Sequence, residues 1–220
     1  MYRVLYQFDP IAVATTRPAQ MWRSIDSRLP KDIARAETGP RVLWRREDES
    51  TIQVQYPTRP KPAWLLPGTR AFPQVVDMHV LLASLAQGQV WVFDLAAQPV
   101  HRVSKPSHPT GHVDQRVPAG QWLTAKDAEG TSRASRSGFR VLHLAEQNTL
   151  RRGSTTMPSL TRIRGILEVE DTQALRVALE EGMGRGKTQG AGMLSLTYPP
   201  RKLRRPRAAG NPTRRAPATP

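Results

Sequence analysis

The chain has 220 residues, with 33 lysines and arginines against 18 acids and no cysteine, for a formal charge of +15 and a pI near 11.3. Disulfides and thiolate metal sites are excluded, and the basic excess points to a polyanion, nucleic acid ahead of an anionic membrane surface. No run of 18 apolar residues occurs and no basic-then-apolar leader opens the sequence, so a cytoplasmic location without a membrane partner is expected.

Residues 2–8 mix aromatic and β-branched side chains and read as a strand that Asp9-Pro10 ends. A helix is expected over 18–29, opening on Pro18 and stopped by Pro30. Its Met21, Trp22, Ile25 and Leu29 share a core face, Arg17, Ser24 and Arg28 run along the edge, and Arg23 points away. Residues 41–46 and 51–56 form strands around the acidic turn Glu47-Asp48-Glu49. After a proline-rich connection anchored by Trp64, residues 75–85 read as a buried helix and 89–96 as a strand. Strand, helix, strand, strand, helix, strand is a ferredoxin-like unit, an architecture shared by RNA-binding sheets.

A polar segment, 98–120, reads as a linker or loop excursion between an N-terminal domain (1–97) and a C-terminal one (121–200). In the latter a helix is expected over 121–128, strands over 139–145, 149–156 and 160–170, a helix over 171–181 capped by Asp171, and a last strand over 193–197. The fold class is α+β, two tandem ferredoxin-like (RRM-like) domains. From Arg201 onward seven cations, no acid and much proline make a disordered basic tail, 201–220, that reads as an electrostatic arm.

Residues 182–192 read Gly-Met-Gly-Arg-Gly-Lys-Thr-Gln-Gly-Ala-Gly. Gly182, Gly184, Gly186, Gly190 and Gly192 give the loop unusual backbone freedom, and exposed amides beside Arg185 and Lys187 would seat a phosphate. Gly186-Lys187-Thr188 imitates the end of a P-loop, but Glu181 stands where the leading glycine belongs. The order is also helix, loop, strand, so nucleoside triphosphate binding is not expected.

The stretch from Gly182 to Leu196 resembles the ending Gly-Ile-Gly-x-x-Lys-x-x-Gly-x-Gly-Leu-Leu-x-Leu of the CasE family. These are repeat-processing endoribonucleases of CRISPR systems, within the glycine-loop RAMP superfamily. Fainter matches run from Met1-Tyr2 through Val42–Arg45, Ile52–Gln55, Gly88-Gln89 and Trp122-Leu123 to Gly138-Phe139, and the resemblance covers about residues 1–200. It implies binding of a CRISPR RNA stem-loop and cutting at the base of the stem by 2′-hydroxyl attack, with no metal or other cofactor. It also implies retention on the 3′ hairpin among the other subunits of a Cascade-like or type IV effector complex. An A-form stem is held by shape and phosphates, and the cations expected along it are Arg45, Arg46, Arg133, Arg136, Arg140, Arg162 and Arg164, with Arg151 and Arg152 opening a hairpin that wedges into the groove.

CasE proteins resemble Tyr-x-x-His-Arg-x-Leu-x-x-x-Phe-Pro on the first helix. Ala19 stands at the tyrosine position here, Trp22 at the histidine, and Arg23 keeps the arginine. Three readings stay open. In one, Arg23 with Arg17 or Arg28 steadies phosphate charge, as the type IV relative of the family is also understood to do; arginine is no general base near neutral pH. In another, His101, His108 or His112 supplies the proton chemistry. In the third, the chain caps the hairpin without cutting.

Overall fold

The structure, a computed structural model, describes residues 1–34, 39–104, 106–107, 109–151 and 159–199. Strand β1 (Tyr2–Gln7) alternates, sending Val4 and Tyr6 into a core while Arg3 takes the other face. Asp9-Pro10 does more than end it. Asp9 caps a short helix α1 (Pro10–Thr15), its carboxylate accepting from the Ile11 amide at 2.8 Å, and Pro10 takes the first helical position. Then come α2 (Pro18–Asp26), α3 (Lys31–Ala34) and the hairpin β2 (Leu43–Arg46) and β3 (Thr51–Tyr56). The Asp48 carboxylate holds the hairpin turn by accepting from the Ser50 and Thr51 amides.

The helix expected over 75–85 is only half there. Residues Gln74–Asp77 form β4, paired along the free edge of β1, and only His79–Ser84 are helical, as α4. Val75 and Val76 are β-branched, and the β1 edge offers them a ladder of backbone partners. The first sheet is antiparallel in the order β2-β3-β1-β4. Its second crossover helix is replaced by a 3-10 turn at Pro62–Trp64.

Strand β5 (Val90–Ala97) does not join that sheet. The boundary expected at residue 97 is therefore corrected: the second lobe opens with β5. The expected linker is folded too, as an antiparallel hairpin of β6 (Val100–Ser104) and β7 (His112–Arg116). Helices α5 (Ala119–Thr124) and α6 (Arg133–Arg136) lead to β8 (Phe139–Arg151), one bulged strand where two were expected, and to β9 (Leu160–Val169). Helix α7 (Thr172–Glu181) and β10 (Leu194–Thr197) complete the lobe, whose sheet runs β10-β5-β9-β8. Both sheets thus have the ferredoxin-like order, fourth, first, third, second. The expected tail lies outside the described residues, among which no helix is long and apolar enough to cross a membrane.

Each sheet buries one face under its own helices. Val4, Tyr6, Ile25, Val54 and Tyr56 fill the first core; Trp91, Phe93, Phe139, Leu167 and Leu175 fill the second. The Tyr6 and Tyr56 hydroxyls bond each other at 2.9 Å, so neither is buried without a partner.

Charged groups join the lobes. Arg3, almost fully buried, donates to Gln55 Oε1 in its own sheet, and to Ser195 Oγ at 2.6 Å and the Leu194 carbonyl at 2.5 Å in β10. Arg45 pairs with Glu47 at 2.6 Å and donates to the Asp94 carbonyl at 3.0 Å. Arg162 reaches back from β9 to Asp94 at 2.6 Å and Glu47 at 2.8 Å. Gln55 Nε2 donates to the Leu179 and Glu180 carbonyls in the last turn of α7, where carbonyls lack intrahelical donors, and the Arg41 amide also donates to the Glu180 carbonyl. Burial, and then the neighbouring Arg45, push the Arg3 guanidinium down to about 9, with Glu47 opposing; it stays charged at neutral pH.

Burial disfavours the charge on Asp94, but bonds and charges from Arg162, Arg45 and Arg164 outweigh it and hold the carboxyl below its ordinary value. Asp94→Ala strands these guanidiniums and is expected to cost about 3 kcal/mol in urea unfolding. A depressed carboxyl stabilises fully above its unfolded pKa of about 3.9 and loses that contribution as pH falls through the lower folded value. The native chain should therefore weaken steeply below about pH 4, and Asp94→Asn should flatten that part of the profile.

Candidate nucleic-acid interface

Helix α7 ends at Gly182, whose φ of 76° with ψ of 161° is a conformation open essentially to glycine alone. A Cβ there would lie 2.8 Å from Leu43 and 2.9 Å from the Gly192 carbonyl. The Met183 amide donates to that carbonyl at 2.8 Å, pinching the loop shut, and the Gly192 amide donates to Ala96 of β5. Within the loop, Lys187–Gln189 makes a 3-10 turn between Gly186 and Gly190. Gly184 lies against the Trp122 indole, Gly186 against the Gln98 side chain and Gly190 against the Trp44 indole. Trp44 Nε1 also donates to the Thr188 carbonyl at 3.2 Å.

The glycines named from the sequence are therefore a packed joint between the lobes more than an open cradle, with Gly190 and Gly192 buried. Arg185 is exposed and pairs with Asp114 at 2.8 Å, tying the β6–β7 hairpin to the loop. Lys187 is half-buried; burial first, then Arg41, lower its pKa against the pull of Glu181.

A cleft of about 490 Å³ opens where this joint meets the first lobe, between α1, α2, the β2–β3 turn and the 3-10 turn. Arg17, at the N-terminus of α2, lines it together with Arg46, Gln189 and Gly190. Arg28 lines a second cleft of about 370 Å³ beside Phe8 and Leu66, and Arg23 lines neither. Arg17, Arg23 and Arg28 are all exposed, and none has a carboxylate partner among the described residues.

The other expected cations are differently placed. Arg45 and Arg162 sit inside the seam rather than on a surface. Arg164 pairs with Asp94 at 3.0 Å, Arg140 with Glu168 at 2.7 Å, and Arg136 with Asp127. Arg133 stacks on Trp122, 4.4 Å from the ring, and burial, then Arg136 and Arg185, lower its pKa. Arg151 pairs with Leu160 at the end of the β8–β9 ladder, and Arg152 lies outside the described residues. His101 and His112 stand exposed on the β6–β7 hairpin, His108 lies outside the described residues, and no described histidine lines the cleft.

Residues 2–197 match a protein family described as CRISPR associated protein. The chain belongs to this CRISPR-associated family. Its fold is that of Thermus thermophilus Cse3 bound to an RNA representing a pre-cleavage complex, at 25% identity over 89% of this chain and 98% of the other, with a TM-score of 0.65. Escherichia coli K-12 Cas6e shares the fold at 18% identity over 90% and 100%, TM-score 0.60. So does a chain of a CRISPR RNA-guided surveillance complex, at 22% identity over 90% and 100%, TM-score 0.54. No curated protein matches significantly.

In this member of the family, Trp22 is half-buried and packs against the first core beside Met21 and Ile25. An indole keeps its N–H near neutral pH and accepts no proton, so it cannot serve as general base or acid. Sequence reasoning passed over Arg3, Asp94 and Gln189. Asp94 had a legible signal, a lone acid in an apolar strand; Arg3 and Gln189 had none. Gly182→Ala, which needs both a strained backbone and a shifted Leu43, is expected to lower stability by about 2–3 kcal/mol in chemical unfolding.

Proposed function

We propose that this chain binds the stem-loop of a CRISPR repeat transcript, cuts it at the base of the stem, and stays on the 3′ hairpin as a subunit of a Cascade-like or type IV effector complex. Family membership and the twin-lobed fold support the reading. The observation that carries it is the cleft at the joint, where Arg17 stands beside the glycine loop with no ion pair among the described residues, across from the acidic turn Glu47-Asp48-Glu49. A cation held there is available to an incoming phosphate.

The reaction is an internal transfer. The ribose 2′-oxygen attacks the adjacent phosphorus in line as solvent water takes its proton, the P–O5′ bond breaks, water returns a proton to the leaving 5′-oxygen, and a 2′,3′-cyclic phosphate and a 5′-hydroxyl result. Charge grows on the non-bridging oxygens, and Arg17, with Arg23 as the neighbouring cation on α2, stabilises it while the cleft holds the strand in line. Arginine stays protonated near neutral pH and removes no proton, so the reaction runs on positioning and electrostatics, without a metal. Arg133, Arg136, Arg140, Arg164 and Arg185 exchange their carboxylate or aromatic partners for stem phosphates.

Pure protein incubated with end-labelled repeat hairpin in EDTA is expected to release a cyclic-phosphate product. Arg17→Ala and Arg23→Ala should each slow cutting at least about tenfold while affinity stays within about threefold; equal losses in both would remove these assignments. With about six phosphates neutralised, affinity should fall about a thousandfold between 50 and 200 mM salt. A hairpin bound tightly and left intact supports the capping role instead, which Trp22 at the family's histidine position favours.

A further inference from the structure

The cleft at the joint offers more than a phosphate needs. Val13, Met21, Trp44, Ile52 and Leu160 wall it with apolar surface, from which an anion gains nothing. A nucleobase gains a great deal, having two apolar faces and a hydrogen-bonding edge. Gln189 supplies the partner for such an edge: it lines the cleft, and its Oε1 is enclosed with no hydrogen-bond partner. A buried amide oxygen left unpaired is costly, and a ligand that pairs it recovers that cost. Arg17 and Arg46 stand on the same cleft, where the phosphates on either side of a bound base would lie.

We infer that this cleft takes an unpaired adenine nucleotide flanking the RNA stem, with Gln189 as the residue that reads the base. A glutamine amide presents an acceptor and a donor side by side, which match the N6 amine of adenine and its adjacent ring nitrogen. Unstacked single-stranded bases beside a stem are the ones a protein can read in this way. Trp44 and the aliphatic walls sequester the base, and the arginines hold the backbone on either side. The inference rests on the RNA-binding reading above and adds a sequence preference to it.

The full chain is tested, in EDTA, against a repeat hairpin carrying short single-stranded flanks, with each flank nucleotide replaced in turn by an abasic residue. One position is expected to lose about tenfold in affinity when abasic. Adenine there should bind best, and a purine lacking the 6-amino group should fall between adenine and the abasic residue, keeping the apolar contact and losing the bond to Gln189. Gln189→Met should bring all bases at that position within about twofold with an unchanged melting temperature, and Gln189→Glu should move the preference toward cytosine, whose N4 amine a carboxylate accepts. Tight hairpin binding that is indifferent to every flank base, or a preference that survives Gln189→Met, overturns the inference and leaves the proposed function standing. A chain that binds the hairpin no better than unstructured RNA of equal length overturns both.

Discussion

Three arginines carried into the space between two sheets govern this molecule. Arg3, Arg45 and Arg162 lose most of their water there, and each is held by fixed acceptors: Gln55, Ser195 and the Leu194 carbonyl for the first, Glu47 and the Asp94 carbonyl for the second, Glu47 and Asp94 for the third. Desolvating a guanidinium is tolerated only where its donors are met with good geometry, and its planar fork restricts where those acceptors can stand. The seam thereby sets the relative position of the two lobes. A greasy interface of equal area would permit them to slide; this one has few alternative registers.

The rest of the site follows from that alignment. Arg3 bonds the Leu194 carbonyl just past the glycine loop, and Gln55 bonds the last carbonyls of the helix just before it, so both ends of the loop are tied to the first lobe. Between those ties the chain must pass flat against Trp44 and Trp122, and glycine is the residue that allows so close an approach. The 3-10 turn is then delivered opposite α2, and the cleft with Arg17 and Gln189 is what remains between them. The same pairing divides the positive charge into two populations. Cations on the second sheet are matched by Asp94 and Glu168, whereas Arg17, Arg23 and Arg28 make no ion pair among the described residues.

Local physics made much of this readable in advance. Alternating apolar residues marked β1 and β3, Asp171 announced the start of α7, and the spacing of glycines around Lys187 carried the resemblance to a CRISPR family. Readings went astray where two local solutions were close in energy. Val75 and Val76 suit a helix by hydrophobicity and a strand by branching, and the open edge of β1 decided between them. Strand β5 is apolar enough for either sheet; its register with β9 and β10 placed it in the second. The segment after it looked like a linker because its polar side chains face solvent, yet its backbone pairs as a hairpin.

By itself, then, the sequence determined the two-unit α+β plan, the punctuation of its helices and the glycine-rich joint, since each depends on neighbours a few residues apart. Only the tertiary structure decided which arginines are engaged and which stand open. Arg162 meets Glu47 across 115 residues of chain and Asp94 across 68, and Arg3 meets Ser195 across 192. A charge reads the same in a sequence whether its partner is water, a carboxylate or a nucleic acid, and the folded geometry alone brings the competing anion within reach.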